Sequence, residues 1–339
     1  MRVLTAGFLV ADIIAADLPK VSEPGELTFA PRGIRLTLGG HPSNVSIDLM
    51  QLGLKPGAVG IVGTVGRDIF GEFAEKTLKD KGVVAYLSGV NEAGTTSDMI
   101  LVVKGEDRRY HVDLGASWHF EPEELLKVLR NERPEILYVA VGICGRLDDG
   151  LAAVLEEAKG LGSVTFVDLV SPYGKGWDFI HKALRWTDVF HCNDLEARGI
   201  TGGGDLHGSM KGLVGMGVGI ALVTLGKNGA ALSDSHGTTI EQPGFDVNAI
   251  DPTGAGDAFC SGVILELLSE GLLKELETGT EPKRLAHLLM VGQAAGAICT
   301  TDVGTTTAVR REKLERLMAE QGGKVMSETR FITRGVSGG

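Results

Sequence analysis

An α/β protein with a doubly wound, mainly parallel sheet, helices on both faces and a small β-sheet lid is the architecture this 339-residue chain predicts. Three observations carry that expectation. Short β-branched runs alternate with longer helical patterns along most of the chain. Two stretches, 13–38 and 95–112, break the alternation and read as extended and turn-rich. Glycine is abundant, 49 of 339 residues, about twice the usual ~7%. Such abundance without a G-X-Y period points to tight turns and close backbone approaches.

The elements follow in order. Residues 3–8 read as a strand, 42–52 as a helix ended by Gly53, 58–63 as a buried strand and 68–81 as an amphipathic helix ended by Gly82. Further strands are expected at 136–141, 163–167, 189–191 and 220–224, with helices near 147–161, 176–184 and 206–216. Segments 95–103 and 108–112 flank a polar Gly105-Glu106-Asp107 turn, as a hairpin would. The chain divides into a main domain (1–12, 39–94 and 113–321), a lid (13–38 and 95–112) and a polar, glycine-rich, loosely held tail (322–339).

Composition excludes several functions. Lys and Arg number 33 against 44 Asp and Glu, a net charge of −11, which disfavours a nucleic-acid partner. An apolar fraction of 43% excludes bulk disorder. Asp12 and Asp17 interrupt the apolar N-terminal stretch, so it reads as a strand and not as a signal peptide. No apolar run reaches the roughly 18 residues of a membrane span. The four cysteines form no C-x-x-C pair, which argues against a zinc or thioredoxin-type motif and for a reduced, cytoplasmic setting.

The most informative segment is Asp251-Pro-Thr-Gly-Ala-Gly-Asp257. Gly254, Ala255 and Gly256 precede a helical pattern running to about Leu268. Backbone amides at a helix start lack internal partners, and the helix dipole favours negative charge there. Small residues let an anion approach those amides, and Asp257 stands in the same turn. The layout suits phosphoryl transfer, with amides holding the moving group and a carboxylate orienting the attacking hydroxyl. A capping Asp after an ordinary turn is the alternative. Neither G-x-x-x-x-G-K-[ST] nor G-x-G-x-x-G occurs, and H-E-x-x-H is absent. A terminal G-x-S-x-G at 335–339 lacks the strand and helix that motif requires.

With its neighbours, this turn resembles the D-T-x-G-A-G-D signature of the ribokinase-like (PfkB-type) carbohydrate kinases. Gly39-Gly40-His-Pro-Ser-Asn44 resembles the family's other signature. Gly66-Arg-Asp68-Ile-Phe-Gly71, Asn193-Asp-Leu-Glu196 and Thr224-Leu-Gly226-Lys-Asn-Gly229 match three further motifs, all in the family's order over roughly 1–312.

The resemblance implies an ATP- and Mg²⁺-dependent kinase acting on a hydroxyl of a sugar or sugar-like alcohol. Asp257 would be the base, and Gly254, Ala255 and Gly256 the anion hole. Asp12, Gly39, Gly40 and Asn44 would bind substrate; a turn Asp and a helix cap are the structural alternatives for Asp12 and Asn44. Asn193 and Glu196 would stand near the nucleotide phosphates, Glu196 reaching Mg²⁺ through water. Thr224, Gly226 and Gly229 would line the ribose and phosphates, and Gln293 falls where many relatives place Asn near adenine. Asp251, Thr253, Asp302 and Gly304 resemble a K⁺ site in several relatives; bracing of the turn is the alternative for Asp251. A homodimer through the lid is also implied.

Other residues are less distinctive. His41 lies inside one signature, whereas His181, His191 and His287 read as ordinary surface or core residues. Arg108 and Arg109 fit an exposed lid. Val170 and Pro172 replace the Asn and Arg of the D-x-N-x-R found in fructokinase-like and ketodeoxygluconate-kinase-like relatives, which weakens those two substrates. A nucleoside kinase on the same fold is the alternative activity, and a non-catalytic sugar-binding protein the alternative class.

Overall fold

The computed structural model describes residues 1–106, 108–276 and 278–333. The chain opens with β1 (Val3–Ala6), then runs into β2 (Val10–Leu18) and β3 (Ile34–Gly39). It continues through α1 (His41–Gln51), β4 (Val59–Gly66), α2 (Ile69–Asp80) and β5 (Val84–Val90). A hairpin, β6 (Ser97–Val103) and β7 (Arg109–Asp113), precedes α3 (Pro122–Glu132), β8 (Ile136–Val141), α4 (Arg146–Gly160) and β9 (Val164–Leu169). Next come α5 (His181–Leu184), β10 (Val189–Asn193), α6 (Asp194–Thr201), α7 (Leu206–Gly215) and β11 (Ile220–Thr224). The strands β12 (Ala230–Asp234) and β13 (Thr238–Gln242) lead to α8 (Ala255–Ser269), α9 (Pro282–Cys299), α10 (Arg311–Ser327) and β14 (Arg330–Thr333).

The central sheet has the order β14-β13-β12-β11-β10-β9-β8-β1-β4-β5. From β5 to β11 every pairing is parallel, and the last three strands add an antiparallel edge. Strands such as Ile136–Val141 are buried along their whole length, as a sheet covered on both faces requires. From β1 the chain builds outward first through β4 and β5, then on the other side through β8 to β11. Ligands of open α/β sheets bind at such a reversal, outside the carboxyl ends of the strands.

A separate four-stranded sheet, in the order β3-β2-β6-β7, forms the lid. Its β2 and β6 run parallel, with Asp12 opposite Asp98; β3 and β7 pair antiparallel on the outside. Cross-strand partners share a face, so Asp12, Thr37, Asp98 and Val112 lie on one side. Ile13, Leu36 and Met99 lie on the other.

The structure corrects three expectations. β2 begins at Val10, so Asp12 belongs to the lid sheet and not to the main domain. The helix expected at 176–184 is a 3₁₀ turn, Trp177–Ile180, followed by the single turn α5. Residues 322–333 are no loose tail: α10 continues to Ser327, and β14 pairs with β13. Gly322 and Gly323 suggest a break, but buried Leu314, Leu317 and Val325 keep a helical stripe packed on the core. The rest of the expected tail, 334–339, lies outside the described residues, as does Asp107.

Candidate active site

The turn before α8 is built as the glycine spacing requires. Gly254 has φ 79° and forms the N-cap of α8. A Cβ there would stand 2.6 Å from the Thr305 carbonyl oxygen, so both the conformation and the space call for glycine. Asp257 follows in the first turn of α8 and is buried, 4% exposed. Below the turn, the Cys299 thiol has the carbonyl oxygens of Thr253 (3.3 Å) and Thr305 (3.1 Å) as acceptors for its single S–H.

A cavity of about 650 Å³ opens beside that turn. Thr224, Gly226, Gly229, Ala255, Gly256 and Gln293 line it together, with Phe245, Val247 and Phe259 supplying apolar wall. Gln293 Nε2 donates to Gln242 Oε1 at 2.7 Å. Its Oε1 is buried without a protein partner among the described residues.

Asn193 and Glu196 lie outside that lining and form a capping box at the start of α6. Asn193 Oδ1 accepts from the amide of Glu196 at 2.9 Å, and Glu196 Oε2 accepts from the amide of Asn193 at 2.8 Å. Burial pushes the Glu196 carboxyl upward, against the pull of its bond to Asn193.

Three of the four residues suggested for K⁺ meet at the Asp251 carboxylate. Asp251 Oδ1 accepts from the amide (3.0 Å) and hydroxyl (2.6 Å) of Thr253 and from Arg108 of the lid (2.9 Å). Its Oδ2 accepts from the amide of Gly304 at 3.2 Å. Asp302 stands apart, exposed, and accepts from its neighbour Val303.

On the side of α1 and the lid lies a cluster of largely buried carboxylates and imidazoles. At the start of α1, a Cβ on Gly39 would strike the Asp12 carboxylate, and one on Gly40 (φ 85°) the Phe8 carbonyl. Asn44, also buried, donates from Nδ2 to Asp257 Oδ2 at 2.7 Å while its Oδ1 accepts from Thr305 Oγ1 at 2.8 Å. Burial raises the Asp257 carboxyl, opposed by His41 and Asn44 and reinforced by Asp168. Burial, the charge of Asp98, a hydrogen bond between the two carboxyls and the charge of Asp257 push Asp12 up to about 8. Asp98, raised chiefly by burial, comes to about 6. The pair therefore ionises less readily than two separate carboxyls.

Three groups of this cluster were not assigned from sequence. Asp168, at the end of β9, accepts from Tyr138 (2.7 Å), the amide of Leu169 (2.8 Å) and His191 Nδ1 (2.9 Å), and meets His41 Nδ1 at 3.2 Å. Its carboxyl lies far below the usual range: the neighbouring imidazoles overcome a burial penalty that acts the other way. His191, read as ordinary, stacks on Phe259 and reaches Thr224 Oγ1 at 3.3 Å. Asp98 completes the lid pair. One signal was available: an ionisable residue inside an apolar strand, as in Val-Thr-Phe-Val-Asp168-Leu, must have buried partners. Ligand atoms of His41, Asp168 and Asp257, and of Asp168, His191 and Cys260, come within 4.8 Å of one another. Hydrogen bonds from the imidazoles and Tyr138 already occupy Asp168.

A lidded crevice at a sheet's reversal point, with an amide cradle beside a buried carboxylate, is the layout of a small-molecule phosphotransferase. The chain matches the model of the pfkB family carbohydrate kinases over residues 5–312 and belongs to that family. It is a carbohydrate kinase, a phosphotransferase with an alcohol acceptor. A fructokinase of Klebsiella pneumoniae is 29% identical over 285 residues, 80% of this chain and 88% of the relative. A ribokinase of Haemophilus influenzae is 26% identical over 319 residues, 92% and 96% of the two chains. Among solved structures, a ribokinase from Giardia lamblia aligns with TM-score 0.78 at 22% identity, covering 94% of this chain and 98% of its own. A fructokinase from Xylella fastidiosa with bound ATP aligns with TM-score 0.76 at 22% identity, covering 95% and 99%. Among the described residues no helix is long and apolar enough to cross a membrane.

Proposed function

We propose that this sugar kinase transfers the γ-phosphoryl group of ATP, bound with Mg²⁺, to a hydroxyl of a sugar, with Asp257 as base. The observation that carries the reading is the position of Asp257: buried in the first turn of α8, next to cradle residues Ala255 and Gly256 that line the large cavity. The cavity would hold the nucleotide through Thr224, Gly226, Gly229 and Gln293. The amides of Gly254, Ala255 and Gly256 would hold the moving group. Asn193 and Glu196 would act at the phosphate end, Glu196 meeting Mg²⁺ through water. When bound, Mg²⁺ supplies charge neutralisation between the phosphates.

Asp12, Asp98 and Asn44 would grip the acceptor together with Gly39 and Gly40. Two facing carboxylates accept several hydroxyl hydrogen bonds, which supports a polyhydroxy substrate over a nucleoside base. Fructose and ribose, the substrates in the relatives' names, are the first acceptors to test. The saturated carboxylate of Asp251 supports bracing of the turn over a K⁺ site. Exposed Ile34, Leu36 and Met99 on the outer lid face support a homodimer, checked by light scattering at micromolar concentration. Four free, buried cysteines support a cytoplasmic setting.

Asp257→Asn keeps shape and accepts a hydrogen bond but cannot take the proton. It should lower kcat by roughly 10²–10⁴ with little change in sugar or ATP binding. Steady-state kinetics beside calorimetric binding tests this. Retention of more than about a tenth of wild-type kcat, with chemistry rate-limiting, would return Asp257 to a capping role.

A further inference from the structure

We propose that His41 is a further catalytic residue: an imidazolium held between Asp168 and Asp257, keeping Asp257 ionised and offering Nε2–H to the oxygens that gather negative charge during transfer. The inference rests on the reading of Asp257 as base.

Geometry supplies the first support. His41 Nδ1 lies 3.2 Å from Asp168 Oδ2 and 3.5 Å from Asp257 Oδ1. The ring packs on Phe8, centroid to centroid 5.1 Å. With Nδ1 turned to both carboxylates, Nε2 points away from them and has no protein partner among the described residues. The His41 side chain is 25% exposed, against 2% for Asp168 and 5% for Asp257. Of the three groups, the imidazole is the one most open to solvent.

The anchor is as telling as the ring. Asp168 is fixed by Tyr138, the Leu169 amide and His191, from β8, β9 and β10. A carboxylate with so many donors does not rotate to follow His41; it sets where Nδ1 must lie. Asp168 is thus a positioning residue, and His191 and Tyr138 support it.

Charge balance gives the second support. The groups facing His41 are Asp257 from α8, Asp168 from β9 and Glu196 from α6, while His191 from β10 holds the other oxygen of Asp168. Two nearly dry carboxylates within reach of one ring are costly unless a cation lies between them. Burial alone would lower the imidazole, but Asp257, Asp168 and the bond to Asp168 outweigh it and bring it to about 10. His41 is among the groups that pull the Asp257 carboxyl downward.

The division of labour follows. The acceptor O–H loses its proton to Asp257 as the new O–P bond forms and the bond to the departing ADP breaks. His41 moves no proton. It holds the base ready and stabilises charge, as a preorganised donor does.

The test uses the full chain with MgATP and two acceptor probes, D-fructose and D-ribose, in wild type, His41→Gln, His41→Lys, Asp168→Asn and Asp257→Asn. His41→Gln should lower kcat on the order of 10²-fold and leave MgATP affinity within about threefold. Loss of the cation should move the acid limb of kcat/KM upward by about one pH unit, a shift a merely structural role would not give. His41→Lys should recover about tenfold or more, since it restores charge without the ring.

Side-chain NMR of the imidazoles gives a readout independent of acceptor. His41 should remain protonated above about pH 8 in wild type and titrate lower in Asp168→Asn. Unchanged kcat and acid limb in folded His41→Gln would overturn the proposal. So would a neutral His41 at about pH 8, which decides the matter if that variant does not fold or neither probe turns over. An active Asp257→Asn would overturn the base reading itself. An inactive Asp257→Asn beside a normal His41→Gln would sink only the role of His41.

Discussion

The two halves of the crevice solve different problems. On the proposed reading, the nucleotide half is a walled space of small residues and backbone: Gly226, Gly229, Gly256 and Ala255, with apolar Phe245 and Phe259. The half proposed for the acceptor packs Asp12, Asp98, Asp168, Asp257, His41 and His191 into a largely buried cluster of charges. A phosphate chain can be gripped by amides at a helix start, which need room more than side chains. A neutral sugar offers only hydroxyls, so its site must supply buried acceptors and then offset their charge. Loss of one side chain should therefore injure the acceptor half most, and added bulk the nucleotide half.

Removing a carboxylate should give the largest split between the halves. Asp12→Ala should raise the KM for the accepted sugar on the order of 10²-fold while MgATP affinity stays within a few-fold. An unchanged sugar KM would reduce Asp12 to a structural role and erase the contrast.

Added bulk tests the other half. In Gly254→Ala the new methyl meets the Thr305 backbone and the residue must hold a positive φ. The strain should cost about 1–3 kcal/mol of stability. Displacement of the cradle amides should weaken MgATP binding roughly tenfold, read by calorimetry on the folded variant. Equal loss of sugar binding would mean that the halves are not separable.

A smaller effect sharpens the acceptor half. Burial and the charge of Asp98 push Asp12 up to about 8 in the free protein, and burial brings Asp98 up to about 6, which favours their protonated forms. Sugar hydroxyls donate to the ionised form, so binding lowers both values and releases protons. Sugar affinity should rise severalfold as pH goes from about 6 to 8. Calorimetry in two buffers of different ionisation enthalpy checks the sign. Proton uptake would contradict it.

The smallest effect concerns the turn between the halves. With Asp251 held by Arg108, Thr253 and Gly304, replacing K⁺ by Na⁺ should change turnover less than about threefold. A strict K⁺ requirement would restore the cation reading.

The same contrast explains what the sequence made legible. Gly39-Gly40, Gly254-Ala-Gly256 and Thr224-x-Gly226 are local demands of the backbone, and they appear as spacing along the chain. The Asp12–Asp98 pair depends on parallel register between strands far apart in sequence, and the Asp168 network gathers residues from β8, β9, β10 and α1. Local spacing carries no trace of such meetings. What remains visible is each charge placed in an apolar strand, at Asp98, Asp168 and His191. The antiparallel edge was illegible for another reason: β12 (Ala-Ala-Leu-Ser-Asp) and β13 (Thr-Thr-Ile-Glu-Gln) carry no run of β-branched apolar residues, and β14 comes after glycines that suggest a chain end.

Cys299 has one consequence for measurement. Its sulfur is buried beneath the cradle against the Thr253 and Thr305 carbonyls, with burial holding the thiol well above its ordinary range. Such a thiol is alkylated only in moments when the surrounding turn opens. Its modification rate, followed peptide by peptide with buried Cys144, which bonds to Ala140 of β8, as an internal reference, becomes a clock for breathing of the cradle. Bound MgATP should slow the clock at Cys299 more than at Cys144. Equal slowing at both would mean that the thiols react only when the whole domain unfolds.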